Sequence, residues 1–242
     1  MDPILVVGVR GGVGAAVAQQ LLQRGYPVIG GVRAAEQFDE VRAALPGLSE
    51  LLAFDMADAD QVRAVLAARF AVSPLGGAIV CAAVSQYGPL ESASLADFRR
   101  LMEINAASCL AVYQACMPAL RGSVGRLVLL SSYSGRVGLP FFGLYEASKF
   151  ALEALGDVMR QEAAAFGVKV VLVLPGGIDT EMSRGLRRRI DADIAALSPA
   201  EAALYALRYE KFRAQIHAAT NLPSGADVAR QVVEAFTIAD PE

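Results

Sequence analysis

The 242-residue sequence predicts an α/β fold, in which helices cover both faces of a doubly wound, mostly parallel sheet. Two observations support this prediction. Short, continuous apolar runs alternate with segments whose apolar residues recur at helical spacing, as in repeated strand–helix–strand units. The sequence is rich in Ala, Val, Leu and Gly, and only 19% of its residues are charged, which suits strands that are buried on both faces.

Six of the apolar runs are predicted to be strands. Each is too short for a typical helix and is separated from the next run by turn residues or by a helical pattern. The predicted strands are residues 4–9, 27–32, 51–54, 77–84, 125–130 and 168–174.

Helices are predicted between and after these strands. The strongest start signal is Ser198-Pro199-Ala200-Glu201, with Ser as the cap, Pro at the first position and Glu at the third. No linker divides the chain, so we expect one domain over residues 1–242, with residues 178–222 forming a helical substrate lid. The predicted helices are residues 12–24, 36–45, 58–70, 94–120, 143–166, 198–219 and 223–236.

Composition and charge exclude several classes of function. A formal net charge of −3 gives no electrostatic support for binding nucleic acid. No apolar run approaches the roughly 18 residues of a membrane span, and the apolar N-terminal run is too short for a signal peptide. Cys81, Cys109 and Cys116 lack the spacing of a metal site, so we expect no metal, reduced core thiols and a cytoplasmic protein.

A glycine-rich turn, Gly8 to Gly14, lies between the first predicted strand and the first helix. Glycines there let the backbone turn tightly and approach a pyrophosphate, which the N-terminus of the following helix favours. A glycine-rich segment alone can be an ordinary tight turn. The order of strand, turn, helix and strand is the context that a dinucleotide site requires.

A second motif places Tyr145 four residues before Lys149 within a predicted helix. At this spacing the two side chains share one face, and an ammonium beside a phenol favours its ionised form, so the phenol can exchange a proton nearer neutral pH. Ser131 and Ser132 close the preceding strand, and either hydroxyl could hydrogen-bond the oxygen that gains the proton. By itself, a Tyr–Lys pair at this spacing is more often a pair on the surface of a helix.

Together, these motifs resemble the short-chain dehydrogenase/reductase family, in its compact single-domain branch. Gly8, Gly12 and Gly14 match the spacing of the family's glycine turn, and Tyr145 and Lys149 match its catalytic pair. The resemblance runs from about residue 4 to residue 182 and implies a Rossmann-type sheet of six or seven strands. It also extends to Asp55, Asn105, Ser132, Pro175-Gly176 and Thr180.

The sequence departs from the family pattern in three places. Val7 replaces the Thr that usually precedes the first glycine, and residues 80–83 read Val-Cys-Ala-Ala where the family has Asn-Asn-Ala-Gly. Those Asn residues mainly brace the sheet, so the change bears on the local backbone more than on the chemistry. No strand pattern follows the last predicted helix, so the number of strands in the sheet, six or seven, stays undecided.

The resemblance implies a nicotinamide dinucleotide as cofactor. Val32 occupies the slot at the end of the second strand where an acidic residue would bind the ribose of NAD, and Arg33 follows it. Arg33 and Arg10 could pair with the 2′-phosphate, so NADP(H) is favoured over NAD(H). The residues expected to contact the cofactor are Gly8, Arg10, Gly12, Val13, Gly14, Arg33, Asp55, Met56, Pro175, Gly176, Ile178 and Thr180.

The resemblance also assigns catalytic roles. Tyr145 would be the general acid or base, Lys149 would lower its pKa and bind the nicotinamide ribose, and Ser132, chosen over Ser131 by the family spacing, would hold the substrate oxygen. Asn105 would place a water molecule that links Lys149 to solvent. We therefore expect an NADP(H)-dependent oxidoreductase that interconverts a ketone and a secondary alcohol. The alternatives are a catalytically silent nucleotide-binding regulatory protein and a reductase of a carrier-bound 3-oxoacyl substrate.

Apolar residues between Ser132 and Tyr145 suggest a hydrophobic substrate. Phe141, Phe142 and Met182 are the predicted substrate contacts, although such residues could equally pack the core or a subunit contact. The two long helices at residues 97–120 and 143–166 are where family members assemble, so a homodimer or homotetramer is expected.

The run from Arg184 to Arg189 is open to two interpretations. It could meet a phosphate on a carrier-bound acyl substrate. A solvated lid face, neutralised by Asp191, Asp193 and Glu201, is the favoured interpretation.

Overall fold

The structure is a computed structural model and describes residues 1–239. Within these residues, six parallel strands form one sheet in the order β3-β2-β1-β4-β5-β6, which confirms the predicted doubly wound α/β fold. The strands are β1 (Ile4–Val7), β2 (Val28–Val32), β3 (Glu50–Ala53), β4 (Gly77–Val80), β5 (Arg126–Leu130) and β6 (Lys169–Val173).

Helices connect the strands, and further helices follow the sheet. All predicted helices but the one over residues 94–120 are present as continuous helices, with ends that differ by a few residues from the prediction. The helices of residues 1–239 are α1 (Gly12–Gln23), α2 (Phe38–Ala44), α3 (Ala59–Phe70), α4 (Leu95–Met102), α5 (Ser108–Ser123), α6 (Gly143–Ala164), α7 (Glu181–Ala195), α8 (Pro199–Ala218) and α9 (Gly225–Thr237).

One helix, α7, is absent from the prediction. Thr180 caps its N-terminus by accepting a hydrogen bond from the backbone N–H of Ser183. Ile190 is its buried residue. Its apolar residues Met182, Leu186, Ile190 and Ile194 do recur every four residues, a helical pattern that the prediction overlooked among the Arg residues.

The long helix predicted over residues 94–120 is interrupted. Between α4 and α5, Glu103–Ala107 form a π-helical turn, which buries Asn105. Single π turns inside α-helices are rare and occur frequently at functional sites. The periodicity of the sequence does not reveal the extra residue.

Two strands, β1 and β4, end two or more residues before the apolar runs that predicted them. β1 ends at Val7 because Gly8 adopts a left-handed conformation with φ +89°. β4 ends at Val80, and the chain leaves the sheet before Val84, whose backbone bonds to the side chain of Asn105 instead. Both corrections move residues from the sheet into loops at the carboxyl ends of the strands.

The sheet separates two apolar cores. Alternate residues of β1 face opposite sides: Leu5 and Val7 pack with α3, α5 and α6, whereas Ile4 and Val6 pack with α1 and α9. Buried strands of this kind explain the continuous apolar runs of the sequence. None of the helices in residues 1–239 combines the length and the apolar character that crossing a membrane requires.

Candidate active site

A cavity of about 810 Å³ opens at the carboxyl ends of the strands, where ligands bind in sheets of this type. All twelve residues predicted to contact the cofactor line it. So do Ser132, Tyr145 and Lys149, together with the predicted substrate contacts Phe142 and Met182. Asn105 and Phe141 do not line the wall, and each has a different place.

The glycine turn is packed against its own backbone. A Cβ on Gly14 would overlap the carbonyl oxygen of Gly8 and lie 2.8 Å from its carbonyl carbon, so only glycine fits there. A Cβ on Gly12, in contrast, would meet no protein atom within 4 Å. The open space beside Gly12 adjoins the N-terminus of α1, whose first N–H groups have no partner within the helix. This arrangement fits the pyrophosphate of a dinucleotide.

The side of the cavity next to β2 carries charged and amide groups. Arg10 donates from Nε to both carboxylate oxygens of Glu40, at 3.2 and 3.0 Å, and both side chains are exposed. Gln37 accepts hydrogen bonds at Oε1 from the backbone N–H groups of Arg33 and Ala34. Arg10, one of the two arginines predicted to bind the 2′-phosphate, therefore already pairs with a carboxylate.

The loop after β3 is held by its own polar groups. Asp55 donates its backbone N–H to Gln61 Oε1 at 2.7 Å, and its carboxylate accepts from the N–H of Ala57 at 2.9 Å. The carbonyl oxygen of Met56 accepts from the hydroxyl of Ser108. Asp55 and Met56 thus reach the cavity on a braced loop.

Ser132, Tyr145 and Lys149 meet in the middle of the cavity. Lys149 is 2% exposed, donates from Nζ to the carbonyl oxygen of Leu130 at 3.0 Å, and lies 5.8 Å from the centre of the Tyr145 ring. The Ser132 hydroxyl lies near the Tyr145 phenol, and it accepts a hydrogen bond from the backbone N–H of Ser134 at 3.1 Å. The hydroxyl of Ser131 is buried and has no hydrogen-bond partner among the described residues.

Burial changes the acid–base properties of both helix residues. It raises the pKa of the Tyr145 phenol, and the nearby Ser132 hydroxyl opposes this rise. That direction is opposite to the one expected from Lys149. Burial also lowers the pKa of Lys149 to about 8, and the nearby Cys109, Glu153 and Cys81 oppose this fall. At neutral pH the pair is therefore a protonated phenol beside an ammonium.

Asn105 acts as a brace between elements in this structure. Its side chain accepts from the N–H of Val84 at 2.9 Å and donates to the carbonyl oxygen of the same residue at 2.8 Å. It also donates to the hydroxyl of Ser148, on α6, at 2.9 Å. These bonds tie the loop after β4 to the helix that carries Tyr145 and Lys149.

The two neighbouring phenylalanines point to different places. Phe142 lines the cavity. Phe141 has φ +73° and packs against the lid, with ring centres 4.7 Å from Tyr209 and 5.2 Å from Phe212. The prediction that Phe141 forms part of the substrate wall does not agree with this placement. Phe142 is one of six apolar residues that the loop before α6 and residues 178–222 contribute to the cavity lining: Leu139, Phe142, Met182, Leu186, Ile216 and Leu222.

The basic run, residues 184–189, pairs with other acidic residues than the three that were expected to neutralise it. Arg184 pairs with Asp179 at 2.9 Å, and Arg188 pairs with Glu181. Arg187 lines the cavity and donates to the carbonyl oxygen of Ala219. Because the run is helical, its side chains point to several sides, and they reach the carboxylates at the start of α7. The expected partners bind elsewhere: Asp191 pairs with Arg213, Asp193 with Tyr87, and Glu201 with Ser198.

The sequence reasoning missed two buried carboxylates on α6. Glu146 accepts hydrogen bonds from the backbone N–H of Leu139 at 2.8 and 2.9 Å, which holds the loop before α6. Burial raises the pKa of Glu146, and the bond from Leu139 opposes the rise. Glu153, one turn beyond Lys149, is 3% exposed. The sequence did contain a signal for both: Glu146 lies three residues before Lys149 and Glu153 four residues after it, so both share the Lys149 side of the helix.

A family model described as short chain dehydrogenase matches residues 2–191. The chain belongs to this family, as its glycine turn and its Ser–Tyr–Lys group predicted.

Named relatives differ in what they act on. The chain is similar to an NADPH-dependent 3-dehydrocapnine reductase of Ornithobacterium rhinotracheale, with 32% identity over 74% of this chain and 66% of that protein. It is also similar to retinol dehydrogenase 5 of Mus musculus, with 30% identity over 84% of this chain and 65% of that protein. The chain thus matches about two thirds of the length of these curated relatives.

Among solved structures, a short-chain dehydrogenase from Streptomyces avermitilis has the same fold. Its TM-score is 0.78 at 25% identity, and the alignment covers 100% of this chain and 85% of that one. The agreement extends over the lid helices as well as the sheet.

Proposed function

We propose that this protein is an NADP(H)-dependent oxidoreductase that interconverts a ketone and a secondary alcohol. The observation that supports this most directly is the convergence of Ser132, Tyr145 and Lys149 in a cavity that is continuous with the glycine turn. The nicotinamide cofactor would supply or accept the hydride. A protonated Tyr145 at neutral pH, consistent with its raised pKa, suits the donation of a proton during ketone reduction.

In this proposal each residue of the site has one task. Ser132 holds the substrate oxygen beside the Tyr145 hydroxyl, which donates the proton to it. Lys149 stabilises the phenolate that remains and binds the nicotinamide ribose. Asn105 keeps the loop after β4 against α6 and places the water molecule through which Lys149 exchanges protons with solvent.

The preference for NADP(H) rests on the charges near β2. Val32 ends this strand without an acidic side chain, and both Arg33 and Arg10 line the adjoining cavity. An arginine pairs well with a 2′-phosphate. The name of the O. rhinotracheale relative, which specifies NADPH, agrees with this preference.

A hydrophobic substrate is proposed because two segments of the chain contribute apolar residues to the lining of the cavity that also contains Tyr145. Phe142 and Leu139 come from the loop before α6, and Met182 comes from the lid segment, residues 178–222. We propose that the lid segment covers the substrate. Homodimer or homotetramer assembly also stays a prediction; it agrees with Phe150 and Val158 being exposed on α6, and light scattering would measure it.

The test is hydride transfer from NADPH to a panel of ketones of increasing apolar size. Tyr145→Phe should lower the rate by on the order of 10²–10⁴-fold, the usual contribution of a general acid, while NADPH binding is retained. Tyr113→Phe, at a half-buried tyrosine of α5 that does not line the cavity, is the matched control and should leave the rate unchanged. Equal rates in wild type and Tyr145→Phe would contradict the mechanism. NADPH binding without turnover of any ketone would favour a regulatory binding protein.

A further inference from the structure

Glu153 extends the catalytic face of α6 by one turn. Tyr145, Lys149 and Glu153 follow one another at intervals of four residues, so their side chains share one side of the helix. Glu153 is 3% exposed, and carboxylates are almost never this deeply buried without a partner. A buried charge that is costly to desolvate calls for a functional explanation.

The partner of Glu153 is Arg136, which follows the short turn after Ser132. Arg136 Nη2 lies 2.8 Å from Glu153 Oε2. The approach is outside hydrogen-bond geometry, and neither carboxylate oxygen receives a hydrogen bond from the described residues. Glu153 and Arg136 thus form an ion pair without a hydrogen bond. About half of the Arg136 side chain is exposed to solvent.

The same side chain supports the turn that carries Ser132. This 3₁₀ turn, Tyr133–Gly135, begins at Ser132 and ends against α6. A Cβ on Gly135 would lie 2.7 Å from Glu153 Cγ and 3.1 Å from the carbonyl oxygen of Lys149. Contact this close, together with the ion pair to Arg136, holds the Ser132 turn on the helix.

Glu153 is also the acidic group that acts on Lys149 at neutral pH. The groups that face Lys149 from other elements are the thiol of Cys109 on α5, the thiol of Cys81 after β4 and the carbonyl oxygen of Leu130 on β5. Burial raises the pKa of Cys109 to about 11 and that of Cys81 to about 12, so both thiols are neutral. The remaining neighbour on its own helix, Tyr145, is protonated. The carboxylate therefore supplies the negative charge.

We propose that Glu153 is a positioning residue of the site: it keeps Lys149 in its ammonium form and holds the Ser132 turn against α6. The inference rests on the proposed function for its catalytic meaning. Its physical content, the effect of Glu153 on Lys149, can be measured without any turnover.

The measurement uses the low lysine content of the chain. Lys149, Lys169 and Lys211 are its three lysines, so protein labelled with ¹³C at lysine Cε gives three resonances to titrate by NMR. Lys169→Arg and Lys211→Arg identify the Lys149 signal by elimination. Wild-type Lys149 is expected to titrate near pH 8. In Glu153→Gln its midpoint should fall by about one pH unit, the usual effect of losing a nearby opposite charge.

A matched control lies one turn further along α6. Asp157 also faces Arg136, at 3.6 Å, but it is exposed and more distant along the helix from Lys149. Asp157→Asn should leave the Lys149 midpoint unchanged. If Glu153→Gln does not fold, Arg136→Gln replaces it: less of the Glu153 charge is then neutralised, and the midpoint should rise. A Lys149 midpoint that is the same in wild type and in the folded variant overturns the proposal.

Activity adds a second readout where the enzyme turns over. Reduction needs the Lys149 ammonium, so the rate falls as the pH rises through the pKa of Lys149. In Glu153→Gln this fall should begin about one pH unit lower, with the KM for NADPH unchanged. A wild type that reduces no ketone contradicts the proposed function, whereas an unshifted Lys149 titration contradicts the role of Glu153. The two failures are therefore distinguishable.

Discussion

The cavity has one end at the glycine turn, residues 8–14, called the nucleotide end after the proposed cofactor, and another at the lid segment, called the lid end. Different kinds of contact hold these two ends together. At the nucleotide end, Gly14 approaches the backbone of Gly8 so closely that no side chain fits between them. At the lid end, the contacts are between side chains: Phe212 packs against Phe141, Phe142 and Tyr87, with ring centres 5.2 to 5.7 Å apart.

The two ends of the cavity also differ in how many of their side chains are buried. Nearly all of β1 and the inner side of α1 are buried in the sheet core. In the lid segment, residues 181–218 bury Ile190, Tyr209 and Phe212, and most other side chains of α7 and α8 face solvent or the cavity. Exposed ion pairs such as Arg184–Asp179 add little to stability.

This difference predicts two modes of failure. Backbone packing at the nucleotide end is part of the main core, so damage there should lower the stability of the whole sheet. The lid rests on a few aromatic contacts, so damage there should open α8 locally and leave the sheet intact.

The largest effect is expected from Gly14→Ala. The added methyl would overlap a backbone oxygen that cannot move aside, so we expect a loss of unfolding free energy of about 3 kcal/mol, the upper range for overpacking. Urea denaturation followed by circular dichroism measures it. Nucleotide binding should be lost as well, because the turn must shift to fit the methyl group.

Gly12→Ala is the matched control for this turn. Its methyl meets no protein atom, so the unfolding free energy should stay within about 0.5 kcal/mol of wild type. The methyl would occupy space proposed for the pyrophosphate, so the affinity for NADPH should still fall. Equal stability of the two alanine variants would contradict the backbone-packing account of the nucleotide end.

An intermediate effect is expected from Phe212→Ala in the lid. Removing the ring takes away the shared partner of Phe141, Phe142 and Tyr87, so α8 should open more often. Hydrogen exchange of residues 199–218 should accelerate by about tenfold or more, corresponding to at least ~1.4 kcal/mol, while β1 keeps its protection. Leu207→Ala, on the exposed side of α8, is the control and should change neither.

If Phe212→Ala instead lowered the protection of β1 and of α8 to the same extent, the lid and the sheet would unfold as one unit. The two ends of the cavity would then not differ in the way that their contacts suggest.

The smallest effect is expected at the edge of the nucleotide end. Glu40 pairs with Arg10 and would compete with a 2′-phosphate for it. Glu40→Gln should raise the preference for 2′,5′-ADP over 5′-ADP by about threefold, since exposed ion pairs contribute up to about 1 kcal/mol. Calorimetry measures both affinities. Glu36→Gln, an exposed neighbour, is the control, and an unchanged ratio in Glu40→Gln would show that Arg10 does not contact the phosphate.

The sequence was sufficient for the features that depend on local patterns. The continuous apolar runs predicted all six strands of the described sheet, because strands buried on both faces need apolar residues at every position. The glycine turn and the Tyr145–Lys149 spacing predicted the family, which the match over residues 2–191 confirms. These signals are contained in short segments, so no knowledge of distant contacts was needed.

Other features depended on which distant residues meet. The sequence could not reveal that Arg10 pairs with Glu40, thirty residues away, or that Phe141 turns to the lid while Phe142 lines the cavity. The π turn at Asn105 and the burial of Glu153 likewise depend on contacts between residues that are distant in the sequence.

The acid–base state of the site shows the division most clearly. The four-residue spacing by itself determined that Tyr145 and Lys149 lie side by side on one helix. Only the tertiary structure decided the direction of their pKa shifts, because desolvation depends on every element that covers a group. The sheet and helices that enclose Lys149 lower its pKa to about 8, and burial likewise raises that of Tyr145.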